Sequence, residues 1–417
     1  MRFPAIVLKS LRQHWLSTAL AVVSIALGVS LLISVASLRE QTHRNFTQEG
    51  LGVDAVLGPK GSPLQITLNA LYHLDEMPGK VSWTYYKKVL ADPIVESGIP
   101  FNTGHSYAGF RVNAIDDRFF TEFEYLPGQH FSFKPEDGGQ GRVFSEADEA
   151  VAGADVARAL HIRIGTTFNP TCGVNPGDPV HVNDNIRFVG IMAPTGTPHD
   201  RAIYIPFKTF YTLGGHGADV QDMAVNEEHR LISGAYLKVK RIRGGEAQNP
   251  QLARLQYDVN QSAGAQLVIP NEVLPQLFGI IGWVDSVLLG IALLVTALAL
   301  LFLFVALVSA LRERRRDLAL LRCLGATRRT VFGLVLCESV FISMLGALLG
   351  VAIGHGIVAL SSEYIRVETG LRFTSAYVSQ ADIYVLPAVL VLGLVAGLLP
   401  SIQAYRLGVL RNLAPIS

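Results

Sequence analysis

Four stretches of the chain, 13–38, 286–311, 339–362 and 383–405, contain no Asp, Glu, Lys or Arg. A helix needs about 20 mostly apolar residues to cross a bilayer, and each stretch exceeds that. Inside hydrocarbon every backbone N–H and C=O must be paired within its own segment, so stretches of this kind fold as helices. Burying four such helices in a water-soluble core would demand a large polar shell. The chain has none: half of its residues are apolar and 17% are charged, against about 25% in soluble domains. Arg2, Lys9 and Arg12 precede the first stretch as in a signal peptide. It is longer than the roughly 7–15 residues of a signal core, and a retained helix is expected.

Charge then orients the helices, because Lys and Arg in short loops mark the cytoplasmic side. Besides the three N-terminal basic residues, Arg406 and Arg411 follow the last stretch without an acid. Between the second and third stretches lie Arg312, Arg314, Arg315, Arg316, Arg322, Arg328 and Arg329. In 363–382, by contrast, Arg366 and Arg372 are offset by Glu363, Glu368 and Asp382. The expected order is a cytoplasmic amphipathic segment (1–14), a first span (15–38), an outer domain with stalk segments (39–278), a second span (279–311) and a cytoplasmic insert (312–329). A third span (330–362), a short outer loop (363–382), a fourth span (383–405) and a cytoplasmic tail (406–417) follow. The fold class is an α-helical membrane protein with four transmembrane helices and a large mixed α+β domain outside the cytoplasm.

That outer domain reads as strands at 54–58, 107–115, 185–193, 201–207 and 234–240, short runs rich in β-branched and aromatic residues. Helices are expected at 82–92, at 249–264 and at 146–162, the last with Ser145 as N-cap. The segments 39–50 and 270–287 are expected to extend the first and second spans as helices.

The insert 312–329 is helix-favouring up to Gly325, with Leu318, Leu321 and Leu324 set among the charges. Arginines inside lipid would cost about 2.5–3.5 kcal/mol each, so this is an amphipathic element at the inner surface. It could act as a lipid anchor on anionic headgroups. An anchor needs charges in no particular order, whereas ordered charges, apolar residues and a Gly-Ala turn suit a docking surface for another protein.

The stretch 310–354, ALRERRRDLALLRCLGATRRTVFGLVLCESVFISMLGALLGVAIG, resembles the FtsX-type permease domain of ABC transporters, the family that includes MacB and the lipoprotein-releasing LolC and LolE. The residues that carry the pattern are Arg312, Arg314, Asp317, Leu321, Arg322, Leu324, Gly325, Ala326, Glu338, Gly346, Gly350 and Gly354. Residues 398–415 are similar to the family's ending, and 141–168 and 186–207 resemble the MacB-type periplasmic core. The stretch 58–80 departs from those patterns. The resemblance implies that 312–329 is a coupling helix against an ATPase subunit, its site residues Arg312, Arg314, Arg315, Arg316, Asp317, Leu321, Arg322, Leu324, Gly325 and Ala326.

No G-x-x-x-x-G-K-[ST] loop and no G-x-S-x-G, H-E-x-x-H or S-x-x-K motif occurs, so neither catalysis nor a cofactor is expected in this chain. By the resemblance, ATP belongs to a separate ABC ATPase dimer. The expected partners are that ATPase, a second copy or a paralogous permease, a periplasmic adaptor or binding protein, and lipid. A net charge of +1 gives no reason to expect nucleic acid. The implied location is a bacterial inner membrane with both termini cytoplasmic. Gly346, Gly350 and Gly354 recur every fourth residue, which suits close helix packing. Glu338 and His355 are the polar groups expected within the membrane helices, Glu338 in coupling or structure, His355 in a bond to a neighbouring helix. No metal is expected: a set of Cys172, His181 and His199 is conceivable, but the spacing fits no known ligand pattern. Without an ATPase partner, the chain would instead be a membrane-anchored sensor or scaffold.

Overall fold

The structure is a computed structural model that describes residues 15–47, 52–126, 128–173, 175, 177–214, 218–240, 250–313, 315–369 and 373–406. The N-terminal segment 1–14, Arg314, Arg372 and the tail from 407 therefore lie outside the described residues. In chain order the principal helices are α1 (Trp15–Thr47), α2 (Pro63–Tyr72), α3 (Trp83–Leu90), α4 (Ala154–Ala159), α5 (Phe207–Thr212), α6 (Pro250–Gln261), α7 (Pro270–Glu313), α8 (Arg315–Cys323), α9 (Arg328–Thr369) and α10 (Gln380–Tyr405). The chain divides into a helical unit (Met1–His43, Ile281–Tyr364 and Phe373–Ser417) and a sheet unit (Arg44–Ile280 and Ile365–Arg372).

In the helical unit, α1, α7, α9 and α10 are the four helices long and apolar enough to cross a membrane. Leu20, Val23 and Leu27 on α1, Leu294, Leu298 and Leu301 on α7, and Val391 and Val395 on α10 are exposed. A continuous apolar exterior of this kind has hydrocarbon as its natural solvent. Between helices, lipid supplies no hydrophobic drive, so close approach through small residues carries the packing. Gly346, Gly350 and Gly354 do this against α1: an added Cβ would lie 2.8 Å from Ile25 Cβ, 2.6 Å from Val29 Cβ and 2.9 Å from Ile33 Cβ. Both partner series climb in steps of four in the same direction, so α1 and α9 run parallel. The Ser34 hydroxyl donates to Ser30 O at 2.7 Å and lies 3.2 Å from Gly354 O. Gly28 packs on Thr296 of α7, and Gly397 on Ser339 of α9.

The sheet unit is built on β1 (Ala55–Gly58), β2 (Val81–Ser82), β3 (Val95–Tyr107), β4 (Phe110–Ile115), β5 (Gln140–Gly141), β6 (Glu149–Ala152), β7 (Thr167–Phe168), β8 (Thr171–Cys172), β9 (Ile186–Ile191), β10 (Ala202–Pro206), β11 (Leu231–Ile232), β12 (Gly234–Val239) and β13 (Gln266–Val268). The main sheet runs β13-β1-β12-β3-β4-β10-β6-β9-β5, with β7 on β9 and β8 on β3; β2 and β11 pair separately. The β4–β10 and β6–β9 pairs are parallel and the rest antiparallel. One apolar core lies between β1, β12, β13 and helices α3 and α6; a second lies between β4, β6, β9, β10 and helices α4 and α5.

Two sequence expectations need correction. The strand expected at 107–115 is a hairpin: β3 ends at Tyr107, which pairs with Phe110. Ala108 and Gly109 take φ of 48° and 84°, the two left-handed residues that a tight type I′ turn requires. The helix expected over 146–162 is a strand followed by a short helix. Residues 149–152 pair with β9 and β10, and α4 starts only after Gly153. Ser145 caps no helix; its amide donates to the Glu149 carboxylate at 2.8 Å. The Arg142 guanidinium bonds the same carboxylate at 2.5 and 2.8 Å. With its charge satisfied in this way, an acid can open a buried strand.

Candidate functional site

The arginine-rich insert folds into α8 and a turn that leads into α9. Its turn follows from three residues. The Ala326 amide donates to Leu321 O at 3.0 Å and the Gly325 amide to Arg322 O at 3.1 Å, the paired bonds of a Schellman motif. Gly325 sits at φ +101°, where a side chain would be strained. Leu321, Gly325 and Ala326, with the Arg322 carbonyl, thus terminate α8. Thr327 then starts α9, its hydroxyl accepting from the Thr330 amide at 3.2 Å. Thr327 was not singled out from sequence; a threonine placed just before a helical run is the available signal.

α8 is two-faced. Leu318 and Ala319 are buried; Leu318 packs with Leu311 of α7, Val331 and Val335 of α9 and Ala404 of α10, with Leu321 beside them. On the outer side, Leu320 is 46% exposed and Leu324 86% exposed. Arg312, Arg328 and Arg329 are exposed and Arg322 half-buried, and the Arg328 guanidinium lies over the Tyr405 ring at 5.9 Å. Arg315, Arg316 and Asp317 belong to α8, but their side chains, like all of Arg314, lie outside the described residues. The arrangement clamps one face of α8 on three membrane helices and leaves Leu320 and Leu324, one turn apart, exposed on another.

Glu338 is buried and lines a narrow crevice with Leu307, Leu311, Leu318 and Val335, where α8 meets α7 and α9. The structure therefore joins Glu338 to the insert. It does not join His355 or the glycines to it. His355 bonds at both ring nitrogens, Nδ1 with Ser375 O at 2.7 Å and Nε2 with Asp382 Oδ1 at 3.0 Å. The other Asp382 oxygen accepts from the Ser379 amide at 2.6 Å and its hydroxyl at 2.8 Å, capping α10. Gln41 exchanges two hydrogen bonds with the backbone of Thr374, so the segment before α10 is fastened to both α1 and α9.

In the sheet unit the stretch 58–80, set apart in the sequence, supplies a buried histidine, His73, and a lysine, Lys80, whose ammonium is held by protein groups. His73, at the left-handed C-cap of α2, stands 3.3 Å from His199, and Asn113 and the Tyr204 hydroxyl complete the cluster. Phe119, Phe123 and Phe131 pack against His199. Burial pushes His199 down to about 3 and lowers His73 as well, the latter also through the neighbouring His199. The Lys80 ammonium donates to Ser233 Oγ at 2.7 Å and Thr103 O at 3.2 Å, and burial pushes it down to about 8. His199 is thus committed to this cluster and does not join Cys172 and His181; the histidine that does is His105.

Comparison with known proteins identifies the architecture. The MacB-like periplasmic core domain matches residues 18–241, more than half of the 417 residues. The chain belongs to the MacB-like family. Residues 289–409 of this MacB-like chain match the FtsX-like permease C-terminal domain, the region of α8 and its supporting helices. The pyoverdine export ATP-binding/permease protein PvdT of Pseudomonas fluorescens is 23% identical over 95% of this chain and 57% of its own length. The chain therefore spans little more than half of that relative. The uncharacterized ABC transporter permease YvrN of Bacillus subtilis is 21% identical, over 96% of both chains. The periplasmic region of MacB from Actinobacillus actinomycetemcomitans aligns with a TM-score of 0.33 at 10% identity, over 56% of this chain and 97% of that one. The chain is a membrane protein of the FtsX/MacB permease type with a MacB-like periplasmic core domain.

Proposed function

We propose that the chain is the membrane subunit of an ABC transporter and that α8 with its Gly325 turn is the docking site for a separate ATPase. One observation carries this reading: α8 buries Leu318 against three membrane helices while Leu320 and Leu324, one turn apart, stay exposed. An isolated exposed leucine means little. Two one turn apart in an arginine-rich insert, braced from behind, suit an apolar pocket with an acidic rim. The crevice at Glu338 would let movement of α8 reach α7 and α9. A second polypeptide is proposed for the ATPase; the name of YvrN, an ABC transporter permease matched over 96% of its length, supports that reading.

The motion would leave the membrane through α1 and α7. α1 continues as a helix to Thr47 and α7 begins at Pro270, each beyond its uncharged run. Two copies of the chain, or one with a paralogue, would work on an ATPase dimer in the inner membrane, with both termini cytoplasmic. The work would be mechanotransmission that exports or extracts a periplasmic or outer-leaflet substrate such as a lipoprotein, peptide or drug, with a periplasmic adaptor as a further partner.

The test is purification of the tagged chain from membranes with whatever ATPase accompanies it, for wild type and Leu324→Asp. Leu324 is almost fully exposed, so the substitution leaves the fold intact. A P-loop ATPase is expected with wild type, and its yield or stimulated activity falls about tenfold or more in the variant, as for loss of an interface anchor. If no ATPase accompanies wild type, or Leu324→Asp changes nothing, the docking assignment fails and a membrane-anchored sensor or scaffold becomes the better account.

A further inference from the structure

We infer that the outer domain holds a transition-metal site formed by His105, Cys172 and His181, and that zinc is the ion it takes. One ligand atom from each residue lies within 4.8 Å of the other two. His105 comes from β3, Cys172 from β8 and His181 from the arm paired back on β8, and backbone pairing fixes each. β8 lies along β3 so that Cys172 stands opposite His105. The Cys172 amide donates to Pro179 O at 2.8 Å and the His181 amide to Pro170 O at 2.9 Å, which pairs 170–172 with 179–181 beside β3. The β3–β4 register slips between Asn102 and His105, with Gly104 at φ +140°. A bulge of this kind re-aims the next side chain, here His105.

The chemistry of the set selects the ion. Two imidazoles and a thiolate suit zinc or copper and reject calcium and magnesium, which prefer oxygen. His105 and His181 are buried and Cys172 is half-buried. The His181 Nδ1–H points at Gly214 O, 2.5 Å away. That bond keeps the proton on Nδ1 and leaves the Nε2 lone pair for a metal, the arrangement that orients most metal-binding histidines. Zinc holds its donors at about 2.0–2.3 Å, so a side-chain movement of roughly an ångström closes the set on the ion. Binding releases the thiol proton to solvent. Three protein ligands leave a fourth tetrahedral position for water or an incoming ligand, which is the pattern of exchangeable rather than closed structural sites. The site and α8 belong to different units, so it stands or falls independently of ATPase docking.

The experiment uses the purified full-length protein in detergent with a mild reductant, stripped of metal and titrated with zinc against a chromophoric chelator. Wild type and His229→Gln, a change at an exposed histidine, are expected to hold one zinc per chain. Cys172→Ser and His181→Gln are expected to lose more than about 100-fold in affinity, beyond what loss of an outer-shell partner costs. Cobalt in place of zinc should give a thiolate charge-transfer band that Cys172→Ser abolishes and His229→Gln retains. Metal-free melting of Cys172→Ser should match wild type. The proposal is overturned if wild type cannot compete with the chelator, or if the zinc stoichiometry and the cobalt band survive in Cys172→Ser.

Discussion

The two units of the chain solve the problem of buried polarity in opposite ways. In the helical unit the buried polar residues are mostly small hydroxyls, Ser30, Ser34, Ser339, Ser343 and Ser401, with Thr296; Gln41 and the carboxyl of Glu338 are the larger exceptions. Several bond the backbone of their own helix one turn back, as Ser34, Thr296 and Ser401 do. In the sheet unit they include His105 and Glu149, and also His73, His199, Asn102 and Asn113, which bond across elements far apart in sequence. The first device is steric: small groups let helices approach and carry no charge to titrate. The second is electrostatic and depends on protonation. The membrane helices should therefore fail on added volume and the outer domain on added protons.

The largest effect should come from volume. Gly350→Leu would drive a side chain into Val29 and the Ala26 carbonyl, 2.6 and 2.8 Å from the position of the new Cβ. Overpacking of this kind costs about 1–3 kcal/mol or more, and here the parallel α1–α9 contact has no space to yield. Loss of monodisperse protein on heated size-exclusion chromatography is the expected result. Gly356→Leu, where an added Cβ meets nothing within 4 Å, should leave the melting point close to wild type. Equal behaviour of the two variants would break the steric half of the comparison.

Acid tests the other half. His73 and His199 have lowered pKa values in the folded state, and in an unfolded chain they return to about 6.5. Below that value the unfolded chain binds protons that the folded domain refuses, so this stabilisation is complete above about pH 6.5 and is lost as pH falls toward about 3. The slope is about 1.4 kcal/mol per pH unit for each histidine. Trp83 sits in this unit against Tyr86 and Phe207, and its fluorescence reports the melt. A melting point that falls between pH 7 and 5, with a shallower fall in His73→Gln, is expected; a flat profile would show that the pair titrates normally.

The same contrast explains what could be read from sequence. The four membrane helices, the insert and the glycine face were legible because each is a local pattern: a run without charge, an arginine cluster, a four-residue repeat. The sheet unit was legible only in part. β3, the longest strand, has Gly and Pro at 98, 100 and 104 and no clean alternation; pairing with β4 and β12 decides it. Glu149 reads as a helical acid until Arg142 and the Ser145 amide neutralise it. Within the insert, sequence placed the turn at Gly325 but not the seat of α8, because Leu311, Val335 and Ala404 come from three other helices.

Between these extremes lies His355, the titratable side chain that bridges α9 and the start of α10. His355→Gln keeps a polar group but cannot reach both Ser375 O and Asp382, and the loss of one such charged or buried bond costs about 1–3 kcal/mol. A melting point lowered by a few degrees, with ATPase association unchanged, is the expected outcome. Changed association would mean that this outer-side contact reports to α8.

The smallest effect on stability, and the most telling about function, should come from Gly325→Ala. The residue has φ +101° and open space around its Cα, so the penalty is conformational alone, about 1 kcal/mol. Global melting should barely move, since α8 is braced by Leu318 on its inner face. What should move is the position of Leu324, one residue before the turn. If ATPase stimulation drops while the melt holds, the glycine serves the presentation of that leucine. If the melt and the stimulation fall together in proportion, the turn is only a helix terminator, and the exposed face of α8 loses its claim to be shaped for a partner.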